Sequence, residues 1–463
     1  MGEKMAFDNP VFLFRFLPIF FVLYHIAPKS FRNVLLFAGS LFVVGWNAPV
    51  VALAAAVFTL GMTFLGVMAE KLSGKTAGIF LTACTVLLCM FPLIALRNIC
   101  SSDNPGAFFL PFGLSFFTLQ GVSYIVDVYR GFAKASSNPF DVGAYIFGFT
   151  GMAAGPVVCY RDWAEEGRNR VATAYDVKEG IKLFMKGLAK KVVLGDTIYR
   201  LYQEIINLNP AYISAFTAWL GLAAFALSVY YFLSGYSDMA IGLRRMMGFH
   251  TEENFLHPFI SASVTEYFSR WNVSMKRWMT NYVYRPLGGD ERNFIVTMLN
   301  IIIVSVLTGL WYGTGVNFAL AGVWIGIFLC LEKVFLKSFL KGLARPAGIV
   351  YTILVMLPMG LFFHYDMPWE LLPYLSSCVG LGNGLFDRQG FFLLAEYFVP
   401  LAVGAFFALP LVSVVLKKLE NSGTGLGIAI YHFTEKVIPT VLFLLAMIYL
   451  IGTVDPVSIV IWQ

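Results

Sequence analysis

Apolar runs follow one another along almost the whole chain, separated by brief polar turns and by no long polar linker. Crossing roughly 30 Å of hydrocarbon takes about 20 mostly apolar residues in a helix. By that measure the pattern predicts spans or half-spans at 11–27, 33–46, 48–69, 76–96, 108–126, 143–158, 212–235, 295–311, 315–336, 348–364, 391–416 and 436–453. They amount to about ten to twelve, several too short to cross alone. The runs 33–46 and 143–158 are expected to be re-entrant or half-buried. The first run lacks a basic leader and a small-residue cleavage site, which predicts a retained span and not a cleaved signal peptide.

Two stretches break the pattern. Lys178, Lys182, Lys186 and Lys190 recur every four residues, while Ile181, Phe184, Met185, Leu188 and Val192 keep the i, i+3, i+4 spacing of another helical face. This basic amphipathic helix is expected either to lie on the membrane surface or simply to cap a helix facing the cytosol. With Arg161, Arg168 and Arg170 just upstream, 161–192 carries the strongest positive-inside signal, which predicts a cytoplasmic loop. The second stretch, 250–292, is too polar to cross: Glu266, Arg270, Lys276, Arg277 and Asp290 stand among Trp271, Trp278, Tyr282 and Tyr284. Polar groups facing lipid are costly, so this segment is either an interfacial loop anchored by its aromatics or the wall of a protein-lined cavity.

Composition agrees with the pattern. Apolar residues make up 58% of the 463, charged residues 13%, and 45 are Phe; mean hydropathy is +0.73. A soluble domain carries about 25% charged residues. The reading is an all-α polytopic membrane protein, one domain over 1–463 with apolar spans in 1–160, the unusual polar segments in 161–300 and further spans in 301–463. A net charge of +6, spread over short loops, points to membrane lipids as partners and not to nucleic acid. The six cysteines, at 84, 89, 100, 159, 330 and 378, have neither metal-ligand spacing nor the look of a disulfide framework. No metal site is expected.

Ordered motifs run from about residue 8 to 335. They include Asn9–Pro18, Leu110–Gln120, Tyr124–Gly131, Ala154-Gly-Pro156, Gly187–Lys191, Ser234–Gly242, Glu253-Asn-Phe255, Trp271-Asn272, Arg285–Gly289 and Leu310-Trp-Tyr-Gly313. In order and spacing they resemble the membrane-bound O-acyltransferase (MBOAT) family, in particular the branch of the bacterial alginate O-acetyltransferase membrane subunit.

The resemblance implies a helical bundle around a central tunnel, in the bacterial cytoplasmic (inner) membrane. It implies transfer of an acyl group, by its branch acetyl, to an extracytoplasmic glycan or carrier. The co-substrate would be an acyl thioester (acyl-CoA or an acyl carrier), with no bound cofactor, and the partner an extracytoplasmic acyltransferase or glycan-synthesis protein. In the family an intramembrane histidine activates the acceptor hydroxyl, a role suited to a group of near-neutral pKa. Here Tyr312 holds that position, and Asn272 holds the second, facing one. A phenol of pKa about 10 is a poor base at neutral pH. The branch also usually has Arg-Asp where this chain has Thr280-Asn281, and a His-Gly where it has Ala321-Gly322 and Ile325-Gly326. Trp271, Trp278, Tyr282, Trp311 and Asn317 are expected along the tunnel. Among five histidines His257 is the candidate substitute base, against a plain headgroup-facing role beside Pro258. Ser234, Ser237 and Asp238 read as polar packing between spans, since a hydrolase elbow needs a strand–turn–helix setting. Three functions stay open: an acyltransferase, a catalytically degenerate relative that binds lipid, acyl group or partner, and a transporter, for which no repeat symmetry speaks.

Overall fold

The computed structural model describes residues 5–100, 113–151, 155–313, 315–422 and 425–452. Residues 110–112, Ala154 and Thr314 of the motifs, and parts of the runs at 108–126, 143–158 and 436–453, lie outside them. Secondary structure among the described residues is helical throughout. Among the described residues, six helices are long and apolar enough to cross a membrane: Pro49–Lys71, Ala215–Met246, Phe294–Tyr312, Val316–Leu336, Arg345–Phe363 and Ala429–Gly452. Phe12–Ile26 and Thr76–Phe91 form shorter apolar helices. The run 391–416 gives the helices Arg388–Glu396 and Phe398–Ala408, bent by 68° at the break between them as in a broken span or a re-entrant loop, and the start of Leu411–Glu420. Pro400 explains the break, because it supplies no N–H to the carbonyl of residue 396. Large apolar side chains such as Val50, Leu53, Val57, Phe64, Ile295 and Leu299 stay exposed; on a span these are the lipid-facing positions.

The chain divides into two compact units, 1–184 with 236–252 and 185–235 with 253–462. In the first, α1 (Leu17–Ile26), α2 (Arg32–Asn47), α3 (Pro49–Lys71) and α4 (Thr76–Cys100) precede α5 (Leu114–Tyr129), which is buried on nearly every side. That burial explains why the run ending at 126 has no lipid-facing stripe. Among its described residues the run 143–158 gives the end of α6 (Pro139–Ile146), a 3₁₀ turn at Phe149–Gly151 and a loop, their apolar groups covered by protein. After α7 (Tyr160–Asn169), the Arg170 guanidinium donates from Nε to the Tyr24 hydroxyl at 2.9 Å and from Nη2 to Asn33 Oδ1.

The basic helix is α8 (Ala174–Ala189). Phe184, Leu188 and Val192 are buried as the apolar stripe requires, but Ile181 is exposed. Gly180 is the cause: a Cβ there would lie 2.6 Å from the Gly242 carbonyl oxygen, so this helix makes its close approach through glycine and turns Ile181 outward. Ser234 and Ser237 are fully buried.

In the second unit α9 (Asp196–Ile206) and the long α10 (Ala215–Met246, shared with the first unit) lead to the polar segment. That segment folds into α11 (Val264–Arg270) and α12 (Val273–Met279), followed by the spans α13 (Phe294–Tyr312) and α14 (Val316–Leu331). α13 and α14 form a hairpin held at close quarters by small residues. A Cβ at Gly309 would sit 2.2 Å from the Phe318 carbonyl oxygen, and one at Gly322 would sit 2.5 Å from that of Ser305. Glycine lets two backbones approach where lipid gives little other drive to associate.

Candidate functional site

The site begins at a turn. Asn272 has φ 46°, in the left-handed region that Asn tolerates better than most residues. It forms the turn between α11 and α12, from which the Trp271 and Asn272 side chains both reach Tyr312. Asn254 holds the turn: its Nδ2 donates to Asn272 Oδ1 at 3.1 Å, and its own Oδ1 accepts from the Ser274 N–H at 2.8 Å. Asn254 and Asn272 are both buried.

Tyr312, the last residue of α13, meets this turn. Trp271 Nε1 donates to the Tyr312 hydroxyl at 3.2 Å, and the Asn272 side chain is hydrogen-bonded to the same phenol. Trp311 packs its ring edge-on to Tyr312, with centroids 5.1 Å apart.

Around the pair lies a cavity of about 900 Å³. Its walls are helix faces. Asn272, Met275, Lys276, Met279 and Thr280 line it from α12 and its continuation, the i, i+3, i+4, i+7 set of one face. Ile301, Val304, Ser305, Thr308 and Tyr312 do so from α13. Ile325 and Leu329 close the α14 side, with Glu332 and Lys333 just past its end. Measured along α13 from Ile301 to Tyr312, the wall is about 16 Å long at 1.5 Å per residue. One end holds Tyr312 and Asn272; towards the other lie Asp290 and Lys333.

The charged lining groups are nearly all committed. Lys333 is ion-paired with Asp290, which also accepts from the Tyr284 hydroxyl at 2.9 Å. Lys333 beside it holds the Asp290 carboxyl below the usual aspartate range. Glu266 pairs with Arg270 at 2.9 Å and Arg345 at 3.5 Å. Glu332, buried, accepts from the Val264 N–H at 2.6 Å, the Thr265 N–H at 2.8 Å and the Thr265 hydroxyl at 2.6 Å. It thereby satisfies the open first turn of α11, where a carboxylate also suits the helix dipole.

Of the positions singled out from the sequence, Tyr312, Asn272 and Trp271 line this cavity together; Trp278, Tyr282, Trp311, Asn317 and His257 are not among its lining side chains. The Trp278 and Tyr282 rings pack against each other, tilted by 39° with centroids 5.1 Å apart. Asn317 Nδ2 donates to the Phe362 carbonyl at 2.9 Å. His257, also left-handed at φ 51°, donates from Nδ1 to the Ala408 carbonyl at 3.1 Å, and it is not among the side chains that line the cavity. Lys276, Ser305, Thr308 and Glu332, none of them an expected site residue, also line the cavity. Ser305, Thr308 and Tyr312 recur at i, i+3 and i+7 on an otherwise apolar span, and that polar stripe was the legible signal. Nothing in the sequence ties Glu332 to α11.

A family profile for membrane-bound O-acyltransferases matches residues 41–354. The chain belongs to the membrane-bound O-acyltransferase family. The protein is 36% identical over 358 residues to the probable alginate O-acetylase AlgI of Pseudomonas fluorescens, covering 76% of this chain and 71% of that one. With the probable alginate O-acetylase AlgI of Pseudomonas aeruginosa it shares 34% over 394 residues, 81% and 75% of the two chains. The peptidoglycan O-acetyltransferase of Helicobacter pylori is 24% identical over 382 residues, 72% and 71%. The matched stretch in this MBOAT protein contains α11 to α14 and so the whole cavity wall from Ala262 to Leu340.

Proposed function

We propose that this multi-pass MBOAT protein binds an acyl thioester in the Tyr312–Asn272 cavity and serves in acylating, by its branch acetylating, an extracytoplasmic glycan or carrier. The carrying observation is that Tyr312 and Asn272 come from different elements, bond to each other, and stand in the wall of a cavity that they leave open. A hydroxyl of the acceptor attacks the thioester carbonyl; the C–O bond forms, negative charge builds on the carbonyl oxygen, and as the C–S bond breaks the sulfur departs as the free thiol, taking the proton that the hydroxyl gives up. The phenol and the carboxamide are hydrogen-bonding groups fixed in advance by Trp271 and Asn254, the arrangement that stabilises such charge. The setting is the bacterial inner membrane with loop 161–192 in the cytoplasm, the side of a thioester donor. An extracytoplasmic acyltransferase or glycan-synthesis protein would take the product onward.

A second reading is favoured by one observation: no histidine lines the cavity among the described residues. On that reading the protein holds an acyl group without turning it over, as a membrane scaffold.

Transfer from a radiolabelled acetyl thioester, measured in vesicles, separates the two. Acyl transfer requires wild-type activity that falls about 10²–10³-fold in Tyr312→Phe or Asn272→Ala, the usual worth of one such donor. Background activity in wild type, with a gain in Tyr312→His, supports the scaffold, since a general base contributes about 10²–10⁴-fold. Strong transfer that survives both substitutions would remove these residues from the chemistry.

A further inference from the structure

Within the first unit, arginines gather where four helices end or begin. Tyr24 lies in the last turn of α1, Arg32 opens α2, Arg170 follows α7, and Arg244 lies near the end of α10. Two aromatic rings link them. The guanidinium carbons of Arg32 and Arg170 lie 5.5 and 5.9 Å from the centre of the Tyr24 ring. Those of Arg170 and Arg244 lie 4.6 and 4.7 Å from the centre of the Phe249 ring. Arg170 and Arg244 are only 8% and 6% exposed, and Arg32 is half-buried.

This buried positive charge is underbonded. Arg170 commits Nε to the Tyr24 hydroxyl and Nη2 to Asn33, and Arg244 commits Nε to the Thr251 hydroxyl at 2.8 Å. Four further nitrogens are buried without a hydrogen-bond partner: Nε and Nη1 of Arg32, Nη1 of Arg170 and Nη2 of Arg244. Among the described residues, no carboxylate forms an ion pair with any of the three arginines. Arg170 reaches Asp141 only through the side chain of Asn33, whose Nδ2 donates to Asp141 at 2.7 Å. Glu166 feels the charge of Arg244 without pairing with it. Asp176 is occupied by Thr173, His250 and Arg245. Buried charges are ordinarily paired and buried N–H groups satisfied, and a small anion would supply the acceptors for all four nitrogens at once.

We propose that Arg32, Arg170 and Arg244 form a binding site for the phosphate group of a phosphomonoester, with half-buried Arg32 at its entrance. Guanidinium groups match phosphate oxygens through paired N–H donors. A phosphomonoester brings three acceptor oxygens, against two on a carboxylate, and a charge of about −1.5 to −2 at pH 7. That charge offsets most of the excess of the three cations. The remainder of the ligand is either small and water-soluble or the glycerolipid body of a membrane phospholipid. Phe31 beside Arg32 and Val171 beside Arg170 are large apolar side chains left exposed, and the chains of a lipid would lie on them. None of the three arginines lines the Tyr312–Asn272 cavity, so this site is independent of the acyl-transfer reading.

Equilibrium binding and thermal melting of the full chain, in neutral maltoside micelles and phosphate-free buffer, provide the test. Three probes share one glycerol unit: glycerol 3-phosphate carries the phosphate alone, dihexanoyl phosphatidate carries phosphate and chains, and dihexanoylglycerol carries the chains alone. At least one phosphate-bearing probe should bind about tenfold or more tightly than dihexanoylglycerol, the worth of one charge-assisted bond. Binding of glycerol 3-phosphate identifies a water-soluble phosphoester; binding of the phosphatidate alone identifies a lipid headgroup. Arg32→Met should lower the phosphate affinity about tenfold and leave the unliganded melting temperature unchanged or raised, because it removes a charge whose buried nitrogens bond nothing. No preference for the phosphate-bearing probes, or a preference that survives Arg32→Met, would overturn the proposal. So would a lowered unliganded melting temperature with phosphate affinity intact, which assigns Arg32 to the fold alone. Should the methionine variant fail to fold, phenylglyoxal, which modifies guanidinium groups, decides on wild type. The bound phosphate probe should slow labelling of Arg32 about tenfold relative to exposed Arg388. Labelling of Arg32 at an unchanged rate would defeat the inference.

Discussion

Asn254 Nδ2 donates to Asn272 Oδ1 at 3.1 Å, and through that bond a residue 18 positions upstream sets the left-handed turn that aims Trp271 and Asn272 at Tyr312. Asn254→Leu removes both halves of this clamp, the donor to Asn272 and the acceptor for the Ser274 N–H. Two buried bonds at about 1 kcal/mol each, plus the unmet partners, predict a loss of about 2–4 kcal/mol. A detergent-phase melting curve reads it. An unchanged midpoint would mean the turn holds itself.

Trp271 and Tyr312 offer a milder probe. Tyr312→Phe keeps the ring against Trp311 and Phe363 but takes away the acceptor for Trp271 Nε1. A destabilisation of about 1–3 kcal/mol is expected, the cost of one unmet buried donor. A loss well above that range would show that more than this bond depends on the phenol.

Glu332 should matter more than any surface carboxylate. Glu332→Ala strips three donors at the start of α11 of their acceptor at once. About 3 kcal/mol or more is expected, together with loosened cavity binding, because α11 carries Glu266, Phe268 and Trp271 into the wall. Glu332→Gln, with one acceptor oxygen kept, should fall between. If alanine and glutamine behave alike, capping is not the role of this side chain.

Gly309 tests the α13–α14 hairpin. Gly309→Val places its Cβ where the Phe318 carbonyl oxygen now lies, 2.2 Å away. The helices must then separate, and we expect loss of monodisperse protein on size exclusion or a fall of at least about 3 kcal/mol in stability. Gly61→Ala, on a helical position with open space around it, is the matched control and should be silent.

Asp176 gives the acid limit of the first unit. Hydrogen bonds from the Thr173 hydroxyl and N–H, at 2.6 and 3.1 Å, and then His250, hold its carboxyl below the ordinary aspartate value of 3.8. A depressed carboxylate pKa contributes stability that is present above the ordinary value and lost as pH falls through the folded one. The melting temperature of wild type should therefore drop below about pH 4 more steeply than that of Asp176→Asn. Parallel curves would show that Asp176 adds nothing.

The helical membrane class was written in the sequence, because hydrophobic run length and 3.6-residue periodicity are local properties that a helix inherits directly from its own residues. So were the α8 stripe at Phe184, Leu188 and Val192 and the polar positions of α13 that culminate in Tyr312. The site was only half legible, for a different reason. Tyr312 meets Trp271 across 41 residues, and Glu332 meets Val264 across 68. Such pairings depend on how close α13 and α14 approach through Gly309 and Gly322, and on the one left-handed residue between α11 and α12. Periodicity carries no information about either. Likewise the sequence leaves His257 between a substitute base and a headgroup-facing residue beside Pro258, and its bond to the Ala408 carbonyl, 151 positions on, is visible only in the tertiary structure.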